Sequence, residues 1–360
     1  MSDPRRPVAI VGAGGYIGQH FARLLADHPW FRVEQLVGGG RSVGLRLDEL
    51  WALAEAPPPE LAGRRLVAAT PAALARAGIE GVFSALPSGS AKTFEAELVR
   101  RGVAVFSNAA DHRLDPRAPL LIPEVNRAHL ALAGRRPRGR GLLVTNANCS
   151  TTGVVVALAP VIARLRPRAV HVSTYQSLSG AGWPGVPSLA ITDNVLPHIP
   201  AEEEKIARES ARLLGRYDGG RIRPFRTPVV ANCARVATRE GHLAAVTVEA
   251  SRSPPLDELT EAWSAFDPLA DLDLPTAPHP PIVVQTAPDR PQPLRDRWLG
   301  SPARARGMAI AIGRIRWTPP YLRFFTLSHN AVRGGAGGSV LNAELSVALG
   351  IPWRQGARSR

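Results

Sequence analysis

A two-domain α/β protein is predicted: a doubly wound parallel sheet, then an α+β domain whose sheet is mixed or antiparallel. Three observations carry this. Short strand-like segments (Val8–Val11, Phe31–Val37, Gly81–Ser84) alternate with helical patterns through the first part of the chain. A glycine-rich turn, Gly12 to Gly18, joins the first segment to its helix. Beyond Cys149 the texture changes to strands such as Ala169–Tyr175, Ala244–Ala250 and Met308–Arg316, with Gly-, Ser- and Pro-rich connections, Pro275–Pro293 among them. The 360 residues suit two domains: 1–148, completed by a C-terminal helix within 331–360, and 149–330.

Each element has its own justification. After the strand Val8–Val11, glycines at 12, 14, 15 and 18 allow a tight turn and let backbone N–H groups approach a pyrophosphate at the start of the helix bearing Ile17, Phe21, Leu24 and Leu25. The second strand, Phe31–Val37, ends where a dinucleotide's adenosine ribose lies. An acidic residue there suits a free 2′-hydroxyl, but the chain offers Gly38-Gly39-Gly40-Arg41-Ser42, which suits a 2′-phosphate and predicts NADP over NAD. The strands Gly81–Ser84 and Val103–Ser107 end in small polar residues at the edge where such sheets bind ligands, and Arg113 follows.

The stretch Val144–Gly153 reads as strand, turn, helix start, and places Cys149 on the first helical turn. Unsatisfied backbone N–H groups and the positive end of the helix dipole there favour a thiolate. The residues alone leave open a buried cysteine acting as a small hydrophobe. Ser339–Leu349 is a second apolar-periodic helix, near the end of the chain.

Composition narrows the function classes. Hydrophobic residues at 45% are ordinary for a globular protein; no apolar run reaches membrane-span length and no signal-peptide core precedes the first strand, so a cytoplasmic location is expected. Two cysteines, Cys149 and Cys233, are too few for a structural zinc site, and no metal is expected. The net charge of +14 comes almost entirely from arginines spread along the chain, Lys92 and Lys205 being the only lysines. The cluster Arg135–Arg140 lacks interleaved aromatics, so no specific nucleic-acid partner is expected.

Taken together, several ordered segments resemble a known family. The Gly-rich turn, His28-Pro-Trp-Phe31, Arg41-Ser42, Ser84-Ala-Leu-Pro87-Ser88, Ile122-Pro-Glu-Val-Asn126, Asn148-Cys149-Ser150-Thr151, Ser179-Gly-Ala-Gly182, Asp193-Asn-Val195, Glu202-Glu-Glu-Lys205, Arg235 with Gly241-His242, and Leu341-Asn-Ala-Glu344 are similar to aspartate-semialdehyde dehydrogenases of the archaeal and fungal branch. The resemblance implies NADPH-dependent reduction of aspartyl phosphate to aspartate semialdehyde, on the route to lysine, threonine and methionine. It implies Cys149 as nucleophile, Gln176 orienting the substrate or thiohemiacetal, and His242 as general acid/base. It further implies Arg235 for the substrate carboxylate, Glu203 for its amino group, and Lys205, Arg113 and Asn108 for phosphate. For the cofactor it implies Gly12, Gly15, Tyr16, Ile17, Gly18, Arg41, Ser42, Ser84, Pro87, Ser179, Gly180 and Asn330, and it implies a homodimer or homotetramer.

These residue types suit the chemistry. A thiolate is both nucleophile and carrier, so one hard reduction becomes two easier steps. A histidine can give and take protons near neutral pH, a guanidinium grips a carboxylate in two places, and an ammonium is a compact charge for phosphate. Three departures are visible: Ala147 stands where the family more often has proline, Gly14 where threonine is frequent, and Gly38-Gly39-Gly40 where a more serine-rich turn precedes Arg41, the last two bearing on cofactor affinity and the NADP preference. Alternatives are a reductase of N-acetylglutamyl phosphate or malonyl-CoA, a secondary-pathway paralogue, or a basic nucleotide-binding protein without activity. The last predicts a damaged catalytic position, and none is found among Cys149, Gln176, Arg235 and His242.

Overall fold

The computed structural model describes residues 4–356, so the outermost ends of the expected domain ranges, 1–3 and 357–360, lie outside the described residues. The chain divides into two compact units. The first comprises residues up to Leu121, then Ala128–Asn146, then the chain from Gly335; the second comprises Ile122–Arg127 and Ala147–Gly334.

In the first unit six strands, β1 (Arg6–Val11), β2 (Phe31–Val37), β3 (Gly81–Ser84), β4 (Ala104–Ser107), β5 (Leu120–Leu121) and β6 (Leu143–Asn146), form a sheet in the order β2-β1-β3-β4-β6-β5. All its pairings are parallel. β3 and β4 are buried along their whole length, which is why they read as unbroken apolar runs rather than alternating ones. The strand order reverses between β1 and β3, the crevice where open α/β sheets take their ligands. The register pairs Val11 with Ser84, so the glycine turn and the end of β3 share one carboxyl edge.

The C-terminal helix Gly337–Ala348 packs on β4, β6 and the helix Tyr16–Leu25. Its Glu344 accepts a 2.9 Å bond from His28 Nε2 with both side chains fully buried, His28 Nδ1 being occupied by the N–H of Trp30. His28 stacks on Phe31, and Phe31 on Trp353. The sequence segment His28–Phe31 is thus a brace for the last helix.

The second unit holds a mixed sheet of β7 (Pro167–Gln176), β10 (Val229–Arg235), β11 (His242–Ala250), β12 (Ile282–Gln285), β13 (Ile310–Thr318) and β14 (Tyr321–Ser328), in the order β10-β7-β11-β14-β13-β12, besides a small hairpin of β8 (Arg216–Asp218) and β9 (Arg221–Arg223). β10 runs parallel to β7, β11 antiparallel to β7 and β14, and β12 parallel to β13. The Pro-rich stretch Pro275–Pro293 therefore contains a strand, β12. One face of the sheet carries the apolar helix Cys149–Leu158, anchored through Trp263, whose indole N–H donates to Ala157 O at 2.7 Å. β7 alternates inward Val170, Val172 and Thr174 with outward His171 and exposed Tyr175, and exposed Val230 lies on neighbouring β10.

Candidate active site

Sheet register gathers the site. Arg235 ends β10 directly beside Gln176, which ends β7, while β11 starts at His242 and pairs Leu243 with Tyr175. All three side chains are buried at one end of the sheet.

Cys149 is the first residue of its helix. Asn148 caps that helix, its side-chain oxygen accepting the N–H groups of Ser150 and Thr151 at 2.9 and 3.2 Å. The backbone N–H of Asn148 donates to buried Glu209 at 2.7 Å. On the other side Gly334 lies so close that a Cβ there would sit 2.6 Å from Cys149 Cα. The Cys149 backbone is thereby clamped from two sides.

The Cys149 sulfur is 3.2 Å from His242 Nε2. His242 Nδ1 accepts the backbone N–H of Ser177 at 3.1 Å, with the Ser177 hydroxyl equally near. An N–H pointing at Nδ1 places the neutral ring's proton on Nε2, facing the sulfur. Burial, with the Arg235 charge adding and Glu202 opposing, holds His242 well below its ordinary pKa, so the imidazole is neutral. Asn330 supports this from behind: its Oδ1 accepts Ser177 Oγ–H at 3.1 Å and Gly241 N–H at 2.9 Å, and its Nδ2 donates to Ser179 at 2.9 Å. Of the residues expected at the cofactor, Asn330 and Ser179 thus brace the histidine. Gly180 lies against it, since a Cβ there would come within 3.0 Å of His242 Cε1 and 3.1 Å of Arg235 Nη1.

A carboxylate completes the group, one position from the expected one. Glu202, not Glu203, enters the site: it accepts Ser150 Oγ–H at 2.9 Å, Gln176 Nε2–H at 3.1 Å and Asn148 Nδ2–H at 3.3 Å, with Lys205 Nζ at 3.5 Å. Burial alone would raise its pKa, but the Lys205 charge and the bonds from Ser150 and Gln176 hold it below the usual carboxylate value. Glu203 instead accepts the N–H of Cys233 at 3.0 Å, on the outer edge of β10. Helical phase explains the difference: in the helix Glu202–Leu213 the buried residues are 202, 206, 209, 210 and 213, and 203 lies a step of about 100° off that stripe. That spacing was the available signal for Glu202 and Glu209.

Arg235 is buried, which lowers its pKa while it stays charged, and one guanidinium N–H donates to Ser177 O at 2.7 Å. Among the described residues the rest of its fork has no protein partner, leaving it for a carboxylate. Cys233 contrasts with Cys149: burial pushes its thiol up to about 11, an inert side chain. No group of His, Cys, Asp and Glu among the described residues could hold a metal ion.

The remaining candidates lie in the first unit. Gly12 adopts φ +82°, and Gly18 lies against it so closely that a Cβ would fall 2.1 Å from Gly12 O. Gly15 precedes the helix that Tyr16 and Ile17 open, leaving first-turn N–H groups for a pyrophosphate. Gln19 ties this turn to Leu50 and Ala52 from beneath. After β2, Ser42 is spent on Gly39, exchanging bonds of 3.1 and 2.9 Å, while Arg41 is exposed. Ser84 is fully buried at the end of β3, and Pro87 follows it. Asn108 accepts Asn146 Nδ2–H at 3.1 Å through its side chain and Arg113 Nη2–H at 2.7 Å through its carbonyl. A turn that only glycine can form and a basic loop without an acid after β2 fit an NADP molecule.

Comparison with known proteins shows the family. Sequence models of the semialdehyde dehydrogenase NAD-binding domain and of the semialdehyde dehydrogenase dimerisation domain match residues 7–133 and 158–333. An aspartate-semialdehyde dehydrogenase of Archaeoglobus fulgidus is 42% identical over 95% of this chain and 98% of its own. The chain belongs to the semialdehyde dehydrogenase family. Within that family it is also similar to a malonyl-CoA reductase (NADP) of Metallosphaera sedula, 37% identical over 95% of this chain and 97% of its own. The crystal structure of aspartate-semialdehyde dehydrogenase with NADP from Candida albicans superposes with a TM-score of 0.83, 29% identity and coverage of 96% and 99%. No helix among the described residues is long and apolar enough to cross a membrane.

Proposed function

We propose that this semialdehyde dehydrogenase reduces L-aspartyl 4-phosphate to L-aspartate 4-semialdehyde with NADPH, and runs the reverse reaction with phosphate. The observation that carries it is a nucleophile–imidazole pair at 3.2 Å flanked by both a buried carboxylate, Glu202, and a buried guanidinium, Arg235. Those two charges suit a substrate bearing both an ammonium and a carboxylate.

The Cys149 thiolate attacks the acyl carbon, the C–S bond forms, and the C–O bond to phosphate breaks. His242 donates its Nε2–H to the oxyanion of each tetrahedral intermediate, and its fixed Nδ1 keeps that proton in place. The Gly12–Gly18 turn and Arg41 would hold NADPH, which when bound would supply a hydride to the thioester. Collapse of the resulting thiohemiacetal releases the aldehyde and restores the thiolate; the one proton consumed ends on phosphate. Arg235 holds the α-carboxylate, Glu202 the ammonium, and Gln176, tied to Glu202, orients the acyl group. Asn108, Arg113 and Lys205 serve the phosphate.

The same reading makes the protein a cytoplasmic homo-oligomer, with the outward face of β7 and β10, where Tyr175 and Val230 are exposed, as the dimer contact; the dimerisation-domain match over 158–333 supports this. The test is a substrate panel followed by NADPH absorbance: aspartate semialdehyde with phosphate, N-acetylglutamate semialdehyde with phosphate, and malonate semialdehyde with CoA. Preference for the first supports the assignment. Preference for malonate semialdehyde with CoA would reject it, since a malonyl group offers Glu202 no ammonium.

A further inference from the structure

A carboxylate no part of this chemistry uses lies buried in the first unit. The helix Ser90–Arg100 buries Ala91, Glu95 and Leu98, a stripe where an apolar side chain would serve packing better than an acid. Glu95 is fully buried. One of its oxygens accepts Ser107 Oγ–H at 2.8 Å; the other has no hydrogen bond, and His112 Nε2 stands 3.6 Å from it.

The groups around it are few. They are Ser84 at the end of β3, Ser107 at the end of β4, and His112 and Asp111 on the loop after β4. Asp111 is turned to the N–H of Gly89, which both its oxygens accept at 2.9 and 3.1 Å, so it adds negative charge rather than neutralising any. Burial, against the Ser84 and Ser107 hydroxyls and with Asp111, pushes the Glu95 carboxyl up to about 7.

Both contacts of Glu95 reach the loop expected to take phosphate. Ser107 Oγ also accepts Ala109 N–H at 3.1 Å, next to Asn108, and His112 precedes Arg113, whose Nη2 donates to Asn108 O. We propose that a proton on the Glu95 carboxyl, facing His112, positions the Asn108–Arg113 loop, so that anion binding at this loop is coupled to that proton. This rests on the reading that the loop takes phosphate. With the proton present, the carboxyl O–H faces His112 Nε2 and Glu95 carries no charge. Without it, an uncompensated buried negative charge lies under the loop and opposes an anion above it. Neither residue touches substrate; both are positioning residues.

Two readouts test this. The KM for inorganic phosphate is followed from about pH 6 to about pH 8.5 in the wild type and Glu95→Gln, the ratio cancelling phosphate's own titration. That ratio is expected to rise about tenfold with pH, the effect of one pKa unit of coupling. In parallel, the carboxylic C=O infrared band present in the wild type and missing in Glu95→Gln is titrated with and without phosphate. By reciprocity its midpoint should move up by about one unit when phosphate binds. A pH-independent ratio, or a band that phosphate leaves in place while still saturating the reaction, overturns this proposal alone. Phosphate that neither saturates the reaction nor moves the band overturns the phosphate reading with it.

Discussion

Glu202→Gln is the sharpest perturbation of the site because its neighbour Glu203 supplies an internal control. Glu202 is 4% exposed and accepts from Ser150, Gln176 and Asn148. An amide keeps the shape but removes the charge and turns one acceptor into a donor facing groups that themselves donate. A charge-assisted hydrogen bond to a substrate ammonium contributes about 1.5–3 kcal/mol, so kcat/KM for aspartate semialdehyde should fall roughly 10- to 100-fold, chiefly through KM. The assay is steady-state NADPH formation with phosphate, using aspartate semialdehyde and, beside it, succinate semialdehyde, which lacks the amino group. Wild type should favour the amino substrate and Glu202→Gln should lose that preference. Glu203→Gln, whose amide oxygen can still accept the Cys233 N–H, should leave both rates within about twofold, in keeping with substitutions outside a site. If Glu203→Gln abolished the preference and Glu202→Gln kept it, the helical-phase argument would be wrong.

Other consequences follow from the same contacts. Gly180→Ala places a Cβ within 3.0–3.1 Å of His242 and Arg235, so kcat/KM should drop by about tenfold while the melting temperature hardly moves. Arg41→Ala should raise KM for NADP about tenfold and leave that for NAD nearly unchanged, measured with both cofactors. Glu95 gives a pH signature in stability: its folded value of about 7 exceeds the ordinary 4.5, so its contribution is full below about pH 4.5 and is lost as pH rises through 7. Glu95→Gln should therefore gain on wild type by up to about 3 kcal/mol above pH 7 and by little at pH 4.5, read from urea denaturation at the two pH values. Iodoacetamide should label Cys149 and spare Cys233, checked by peptide mass.

Much of the nucleotide-binding half was legible because its signals are local. β3 carries its limits in a short apolar run, β2 shows through Phe31, Val33, Leu36 and Val37, and the turn after β1 shows in Gly12 and Gly18, where no Cβ fits. In the second unit, β10 and β14 have no local signature. β10 is an edge strand of mixed polarity, and β14 interleaves Arg323 with aromatics, so only pairing across the sheet defines either. β12 lies inside a Pro-rich stretch that reads as connection. Cys149 could be picked out because a helix N-terminus after a short strand is a sequence pattern. Ser177 and Asn330 could not be given their places behind His242, since a backbone N–H reaching Nδ1 and an amide joining residues 177, 179 and 241 depend on tertiary geometry. The Arg135–Arg140 cluster includes Arg136, which is half-buried and donates to the carbonyls of Ala133 and Pro352.

The central claim is that Cys149 carries the acyl group between phosphate and NADPH. The most direct measurement is NADPH appearance from aspartate semialdehyde and NADP, with and without phosphate, in wild type and Cys149→Ala. The account predicts a rate that saturates with phosphate in the wild type and is absent in the folded variant. A rate that survives in Cys149→Ala, or that is indifferent to phosphate, would contradict it.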